Sequence, residues 1–252
     1  MLNTRYNSLA GRLLRLPLRL LPKRAVVPVL SGINRGCKWR VDSSIHRCWL
    51  GYYESDKQQL LAELVKPGMV AYDIGANAGF YTLALSRLVG AGGSVHAFEP
   101  LEENADNIRD HLRMNACGNV ILHQVAVSNR DGHSAFHVEA CNAKGHLADD
   151  GAHRVPTVSI DTQIEAGDLP VPDIVKMDVE GAESEVLESA RKLLARCKTH
   201  WLIALHGDEQ RERVGRLLME TGYRILRLDG SEIDGARVDT DEIHALPREA
   251  RR

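Results

Sequence analysis

The chain predicts a doubly wound α/β fold: a mostly parallel seven-stranded sheet, helices on both faces, and a β-hairpin-like insertion. Three observations predict it. Short apolar runs alternate with stretches whose apolar residues recur every three or four positions, the pattern of strand–helix units in a parallel sheet. Val70-Ala-Tyr-Asp-Ile-Gly-Ala-Asn-Ala-Gly-Phe-Tyr-Thr82 reads as a strand, a glycine turn and a helix start. Glu99 ends the next apolar run, so one strand–helix–strand unit separates it from Asp73. Both carboxylates then stand at the carboxyl edge of neighbouring strands, where open α/β sheets bind ligands. At 252 residues the chain can bury one substantial core, and no second full domain is expected.

Taken in order, residues 1–30 form a basic, leucine-rich arm. Leu9, Leu13, Leu16 and Leu20 recur at helical spacing, and Pro17 and Pro22 limit the helix. Residues 31–69 lead into the main fold, with a helix over Lys57–Val65 closed by Pro67-Gly68. The main domain spans residues 70–246. Its first strand is Val70–Ile74, followed by a helix with Phe80, Leu83, Ala84 and Leu88 on one face. Strand two is Ser94–Phe98, and the next helix carries Leu101, Ala105, Ile108 and Leu112. Strand three is Val120–Val125. Two alternating runs, His133–Val138 and Val155–Ile160, predict the hairpin-like insertion. Strand four is Ile174–Met177, with a helix burying Ala182, Val186, Leu187, Ala190, Leu193 and Leu194. Strand five is Trp201–Leu205. A helix with Val214, Leu217 and Leu218 ends near Gly222, strand six is Tyr223–Leu228, and the last strand is Ile243–Leu246. Residues 247–252 are an Arg-rich tail expected to fray.

Lys and Arg total 32 against 34 Asp and Glu, a near-neutral balance that argues against nucleic acid as partner. The cations are unevenly placed: residues 1–41 contain no Asp or Glu. An interfacial helix on anionic lipid is therefore the alternative to a packed arm, with peripheral membrane contact through it. The five cysteines include no C-x-x-C pair, which fits a reduced, cytoplasmic protein. No apolar stretch is long enough to span a bilayer, and the arm lacks the uninterrupted apolar region of a signal peptide. Oligomeric state is not encoded legibly.

A dinucleotide site needs G-x-G-x-x-G, but Gly75, Asn77 and Phe80 hold those positions. The D-x-G-x-N-x-G pattern instead resembles the first motif of Rossmann-like methyltransferases, whose ligand, S-adenosyl-L-methionine, carries no phosphate. Glu99 is then the acceptor for both ribose hydroxyls, with Asp73 adding negative charge near the cationic end. A second cluster, Lys176-Met-Asp-Val-Glu-Gly-Ala-Glu183, sets three carboxylates on a turn at the same edge. Asp178 and Glu180 are expected to face the crevice near the reacting methyl, and Glu183 lies in the first helical turn, where its charge suits the dipole. His206, ending strand five, is placed to face the same crevice.

Together with Trp49-Leu-Gly-Tyr-Tyr-Glu54, Ala97-Phe-Glu-Pro100, Gln124-Val-Ala-Val127, Ser159-Ile-Asp161 and Leu205-His-Gly207, these stretches make the chain resemble the FkbM-type methyltransferases from about Gly32 to about Leu228. The resemblance implies a class I methyltransferase fold and transfer of a methyl group from S-adenosylmethionine, commonly to oxygen, on a small-molecule, glycan or lipid-linked acceptor. On this reading the cofactor contacts are Asp73, Gly75, Ala76, Asn77, Gly79, Phe80, Glu99, Pro100 and Ala126. Asp178 and His206 are the candidate bases with Glu180 as orienter, and Tyr53 and Glu54 are the acceptor contacts. Similar proteins often carry Glu two residues before the histidine, where this chain has Ala204, and Gly in place of Ser189. No ligand spacing compels a metal site. An ion shared by Asp178 and a neighbour such as Asp208 is left open, while His133, His137, Cys141 and His146 match no closed zinc pattern.

Overall fold

Val70–Ile74 (β3) and Ser94–Phe98 (β4) are short runs mostly buried on both sides, as strands covered by helices on both faces must be, and Val120–His123 (β5) is a less buried edge strand. In the computed structural model, which describes residue 22 and residues 24–138, 145–147 and 153–247, they pair in parallel. Ile174–Met177 (β10) pairs parallel to β3 on its other side, and His200–Ala204 (β11) pairs parallel to β10. The sheet is completed by Arg224–Leu226 (β12) and Glu242–Leu246 (β13), in the order β12-β13-β11-β10-β3-β4-β5, with only β13 antiparallel to its neighbours. The chain runs from β3 outward to β5, then returns across β3 to β10. The crevice between the ends of β3 and β10 is thus the topological switch point.

Side-chain alternation along the strands divides the core in two. Tyr72, Ile74, Val175, Met177, Trp201 and Ile203 pack with the later helices: Ile160–Ala166 (α5), Glu183–Ser189 (α6), Arg191–Ala195 (α7) and Asp208–Glu220 (α8). Ala71, Val95, Ile174 and Leu202 face the other way, onto Ser55–Leu64 (α2) and Phe80–Val89 (α3). Ala97 packs with Ile108 of Glu102–Met114 (α4). Before the sheet, Val26–Pro28 (β1) pairs antiparallel with Lys38–Arg40 (β2), and His46–Leu50 (α1) follows. Trp39 of β2 is fully buried and stacks on His111 of α4, with ring centroids 3.9 Å apart, which fastens this lead-in to the main sheet.

Several boundaries differ from the sequence reading. Strand three stops at His123, because Ala126–Val127 (β6) leaves to join a second sheet, β6-β9-β7-β8, with Gly132–Val138 (β7), Gly145–Leu147 (β8) and His153–Val158 (β9). The expected hairpin pairing of β7 with β9 is present, but within four strands rather than two. Ile160 begins α5 instead of ending a strand, with Ser159 as its N-cap residue. The helix after strand four breaks at Ala190 into α6 and α7. There the Ser189 hydroxyl donates to the Val186 carbonyl at 2.7 Å, a side-chain bond that competes with continuation of the helix. The β1–β2 pair was not anticipated, because each strand is only three residues long. The arm through Leu21, Cys141 and the tail beyond Pro247 lie outside the described residues.

Candidate active site

The turn after β3 is built by backbone demands. Gly75 has φ +75°, and a Cβ there would lie 1.9 Å from the Asp178 carbonyl oxygen. Only glycine lets the two strand ends approach so closely. Its N–H and that of Ala76 both donate to the Phe98 carbonyl at 3.0 Å, pulling the turn over the end of β4. Asn77 adopts φ +50°, and its own side-chain oxygen accepts from the Ala78 N–H at 2.7 Å. Gly79 starts α3 with φ +86°, against Ile108 of α4.

Glu99, 5% exposed, sits at the end of β4 facing that turn. Its carboxylate accepts from the Asn77 N–H at 2.8 Å, the Leu101 N–H at 3.0 Å and the Asn104 amide at 3.3 Å. Burial outweighs these three bonds and raises its pKa to about 7. A carboxylate offers about four acceptor positions, so about one, on Oε2, remains for a ligand hydroxyl.

The second turn follows β10. Asp178 donates its N–H to the Ile74 carbonyl at 3.0 Å, while Glu180 takes φ +53° and Gly181 φ +108°, so the chain reverses sharply before α6. Glu183, fully buried, accepts the Gly181 N–H at 2.9 Å and the His206 Nδ1–H at 2.7 Å through one oxygen. That leaves Nε2 of His206 3.3 Å from Glu180 Oε2 and 3.7 Å from Asp178 Oδ1. The Glu183 hydrogen bond raises the histidine pKa, and Glu180 and Asp178 reinforce it against the opposing effect of burial. Three carboxylates around one imidazole favour imidazolium. The donor atoms of Asp178, Glu180 and His206 lie within 4.8 Å of one another, a set also able to take a divalent cation. Asp208 is not part of it: its side chain is 98% exposed and paired with Arg211.

Between the two turns lies an open cleft of about 1250 Å³, mouth included. It is lined by ten of the residues singled out from sequence: Tyr53, Gly75, Ala76, Asn77, Phe80, Glu99, Pro100, Ala126, Asp178 and Glu180. Four others are displaced from its wall. Asp73 lies beneath the floor, fully buried, accepting the Thr82 hydroxyl at 2.6 Å and pairing with Lys176 at 3.1 Å. It braces the turn rather than facing a ligand. Gly79 serves the packing of α3 on α4. Glu54 points into a buried network, accepting the Tyr81 hydroxyl at 2.7 Å and pairing with Lys57 at 2.9 Å. His206 stands behind Asp178 and Glu180.

Sequence reasoning assigned no role to Lys176 or Tyr81, which also line the cleft. The signal for Lys176 was a charge inside an otherwise apolar strand. Its register partner on β3 is Asp73, so the two side chains must meet on one face of the sheet. Burial lowers the lysine pKa, but Asp73 and Asp178 more than offset it, and the amine stays charged. Its Nζ also donates to the Gly75 carbonyl at 3.0 Å. The departure at Ala204 has a structural counterpart as well. Its register partner across the sheet is Glu242, which pairs with Lys57 at 2.6 Å, so a carboxylate enters this region from the neighbouring strand.

The cleft's chemistry selects its ligand. Among the described residues Lys176 is the one cation on its wall, and it is engaged with Asp73, whereas Glu99, Asp178 and Glu180 are acidic. A dinucleotide's phosphates would find no counter-charge. A ribose diol and a cationic sulfonium suit Glu99 and the acidic turn, so the residues present fit S-adenosylmethionine.

Comparison with known proteins agrees. The chain is similar to the hexuronic acid methyltransferase AglP of Haloferax volcanii, 30% identical over 169 residues that cover 66% of this chain and 68% of that protein. It is also similar to the 2-O-methyltransferase NoeI of Sinorhizobium fredii, 27% identical over 173 residues covering 61% and 69%. The crystal structure of the methyltransferase FkbM from Methylobacillus flagellatus KT shares the fold, with a TM-score of 0.51 at 18% identity over 75% of this chain and half of that one. The Methyltransferase FkbM domain matches residues 73–226, a span that holds both turns, Glu99 and the His206 cluster, and the chain therefore belongs to the FkbM family of S-adenosylmethionine-dependent methyltransferases.

Proposed function

We propose that this protein methylates a hydroxyl oxygen of a glycan or lipid-linked sugar. The observation that carries the proposal is the Asp178 carboxylate on the cleft wall, across the Gly75 turn from Glu99. A base near the reacting end and a diol acceptor near the other divide the cleft into acceptor and donor halves. The names of the two relatives, one directed to a hexuronic acid and the other to a 2-O position, support the acceptor class.

S-adenosylmethionine supplies an electrophilic methyl group on a good leaving group. The protein must hold an acceptor hydroxyl in line with that methyl, remove its proton and keep water out. Positioning of this kind corresponds to effective molarities of about 10⁵ to 10⁸ M. Glu99 would hold a ribose hydroxyl of the donor through its remaining acceptor position, with the Gly75–Asn77 turn beside it on the cleft wall. Asp178 takes the hydroxyl proton as the oxygen attacks. His206, held as imidazolium by Glu183, keeps Asp178 and Glu180 oriented and supplies the positive charge that two adjacent carboxylates require. Histidine is therefore assigned to positioning, and the base to Asp178. Tyr53, packed edge-on against Phe80 with centroids 5.4 Å apart, walls the acceptor side.

The test is a methyl-transfer screen with radiolabelled S-adenosylmethionine over uronic-acid glycans, neutral glycans, lipid-linked sugars and RNA. Label in an alkali-stable ether on a sugar is the expected result. Label only in RNA, or in nitrogen of any acceptor, would defeat the proposal.

A further inference from the structure

Exposed large apolar side chains are concentrated in one part of the molecule. Val26, Leu30, Ile45 and Tyr52 are 49%, 55%, 52% and 51% exposed. All four precede the main sheet, and only Ile121, Val171 and Met219 join them elsewhere among the described residues. The first four belong to one piece of structure. The Leu30 N–H donates to the Trp49 carbonyl at 2.9 Å, and the Ser31 hydroxyl to the Leu50 carbonyl at 2.7 Å, which sets the end of β1 against α1. Tyr52 follows α1 directly, with the Arg47 guanidinium 5.5 Å from its ring centre. Isolated exposed apolar residues are ordinary, but four within one small substructure point to an interaction site.

The charge on this surface says what kind of partner fits. From Arg24 to Tyr52 the chain carries Arg24, Arg35, Lys38, Arg40 and Arg47 against Asp42 alone, in a protein of net charge −2. Asp42 is neutralised by Arg40, and Arg24, Arg35, Lys38 and Arg47 are exposed. Exposed cations interleaved with apolar side chains make this surface repel a second copy of itself. They match the headgroup region of an anionic bilayer, where each cation contributes about 1 kcal/mol and apolar side chains enter the acyl boundary. We propose that the β1–β2 pair and α1 form a docking surface for an anionic lipid bilayer.

The surface adjoins the cleft. Ile45 is at once one of its exposed apolar residues and part of the cleft wall, beside Ser44 and Cys48. Docking would therefore set the cleft mouth at the headgroup level, where the sugar of a lipid-linked acceptor lies. This last step rests on the methyl-transfer reading; the docking surface does not.

The experiment is co-sedimentation of the full chain with vesicles of phosphatidylcholine alone or mixed with phosphatidylglycerol. It is run on the wild type and on the L30E/Y52E double variant, neither residue lining the cleft. Wild type should pellet with the anionic vesicles only. The variant should lose about tenfold or more in affinity, given two lost apolar contacts and two added negative charges. Unchanged S-adenosylhomocysteine binding by titration calorimetry would confirm that the variant is folded, and it tests the cofactor site separately from the surface. Equal pelleting of variant and wild type would place binding in the arm preceding Arg24 and overturn the proposal. So would absence of wild-type binding, or a wild-type dimer in light scattering that the double variant dissociates.

Discussion

Two carboxylates carry the proposed chemistry, and their environments set them apart. Glu99 is buried at the cleft wall beside three N–H donors, and burial raises its pKa to about 7. A ribose diol needs the ionised form as acceptor. Affinity for S-adenosylhomocysteine should therefore weaken as pH falls from about 8 to about 6, and Glu99→Gln should bind about tenfold or more weaker with that pH dependence abolished. Calorimetry across pH checks both. Asp178 is partly open to the cleft and has no comparable set of backbone donors. Asp178→Ala should lower turnover by about 10² to 10⁴ while leaving cofactor affinity within about twofold. A matched loss of affinity would reassign it to donor binding. Both acids could be picked out from sequence because each ends a recognisable apolar run. That Asp73 would lie under the floor could not, since its orientation depends on Lys176, 103 positions away in the chain and opposite it in register.

The turns are the elements that decide the site. Gly75 and Asp178 meet because β3 and β10 are adjacent and in register, and no Cβ fits between them. Gly75→Ala should destabilise the protein by about 2 kcal/mol or more and remove cofactor binding, read by urea unfolding and calorimetry. The β10–α6 turn positions Glu183 to hold His206. A histidine pKa raised on folding contributes stability that is present below its unfolded value, near about 6.5, and is lost as pH rises through the folded value. In Glu183→Gln the difference in urea midpoint between about pH 6 and about pH 9 should shrink relative to wild type. The glycine turn was legible, since its residue types leave few alternatives. The break at Ala190 was not, because Val186, Leu187, Leu193 and Leu194 all face inward and preserve a helical pattern across it.

At the scale of the whole molecule, one buried lysine joins the lead-in to the last strand. Lys57, 2% exposed, pairs with Glu54 on its own side and with Glu242 of β13. Glu54 in turn holds the Tyr81 hydroxyl, and the Tyr81 ring has Lys57 and Lys176 at 5.5 Å and 5.3 Å from its centre. The lead-in, β13 and the cleft are thus tied by a single network. Glu242→Ala leaves a buried cation short of a partner and should cost about 3 kcal/mol in urea unfolding. Lys57→Met, which removes the charge and keeps the length, combined with Glu242→Gln, should recover part of that loss. Among the described residues no helix is long and apolar enough to cross a membrane.

Local rules of the chain determined the alternation of strands and helices, the glycine turn, and the acids at the strand ends, because periodicity and turn chemistry act over a few residues. Tertiary structure alone decided which acids face the cleft, why Glu242 stands opposite Ala204, and how Glu183 raises the pKa of His206. Those outcomes depend on strand order, register and burial, which bring together residues that sequence spacing leaves far apart.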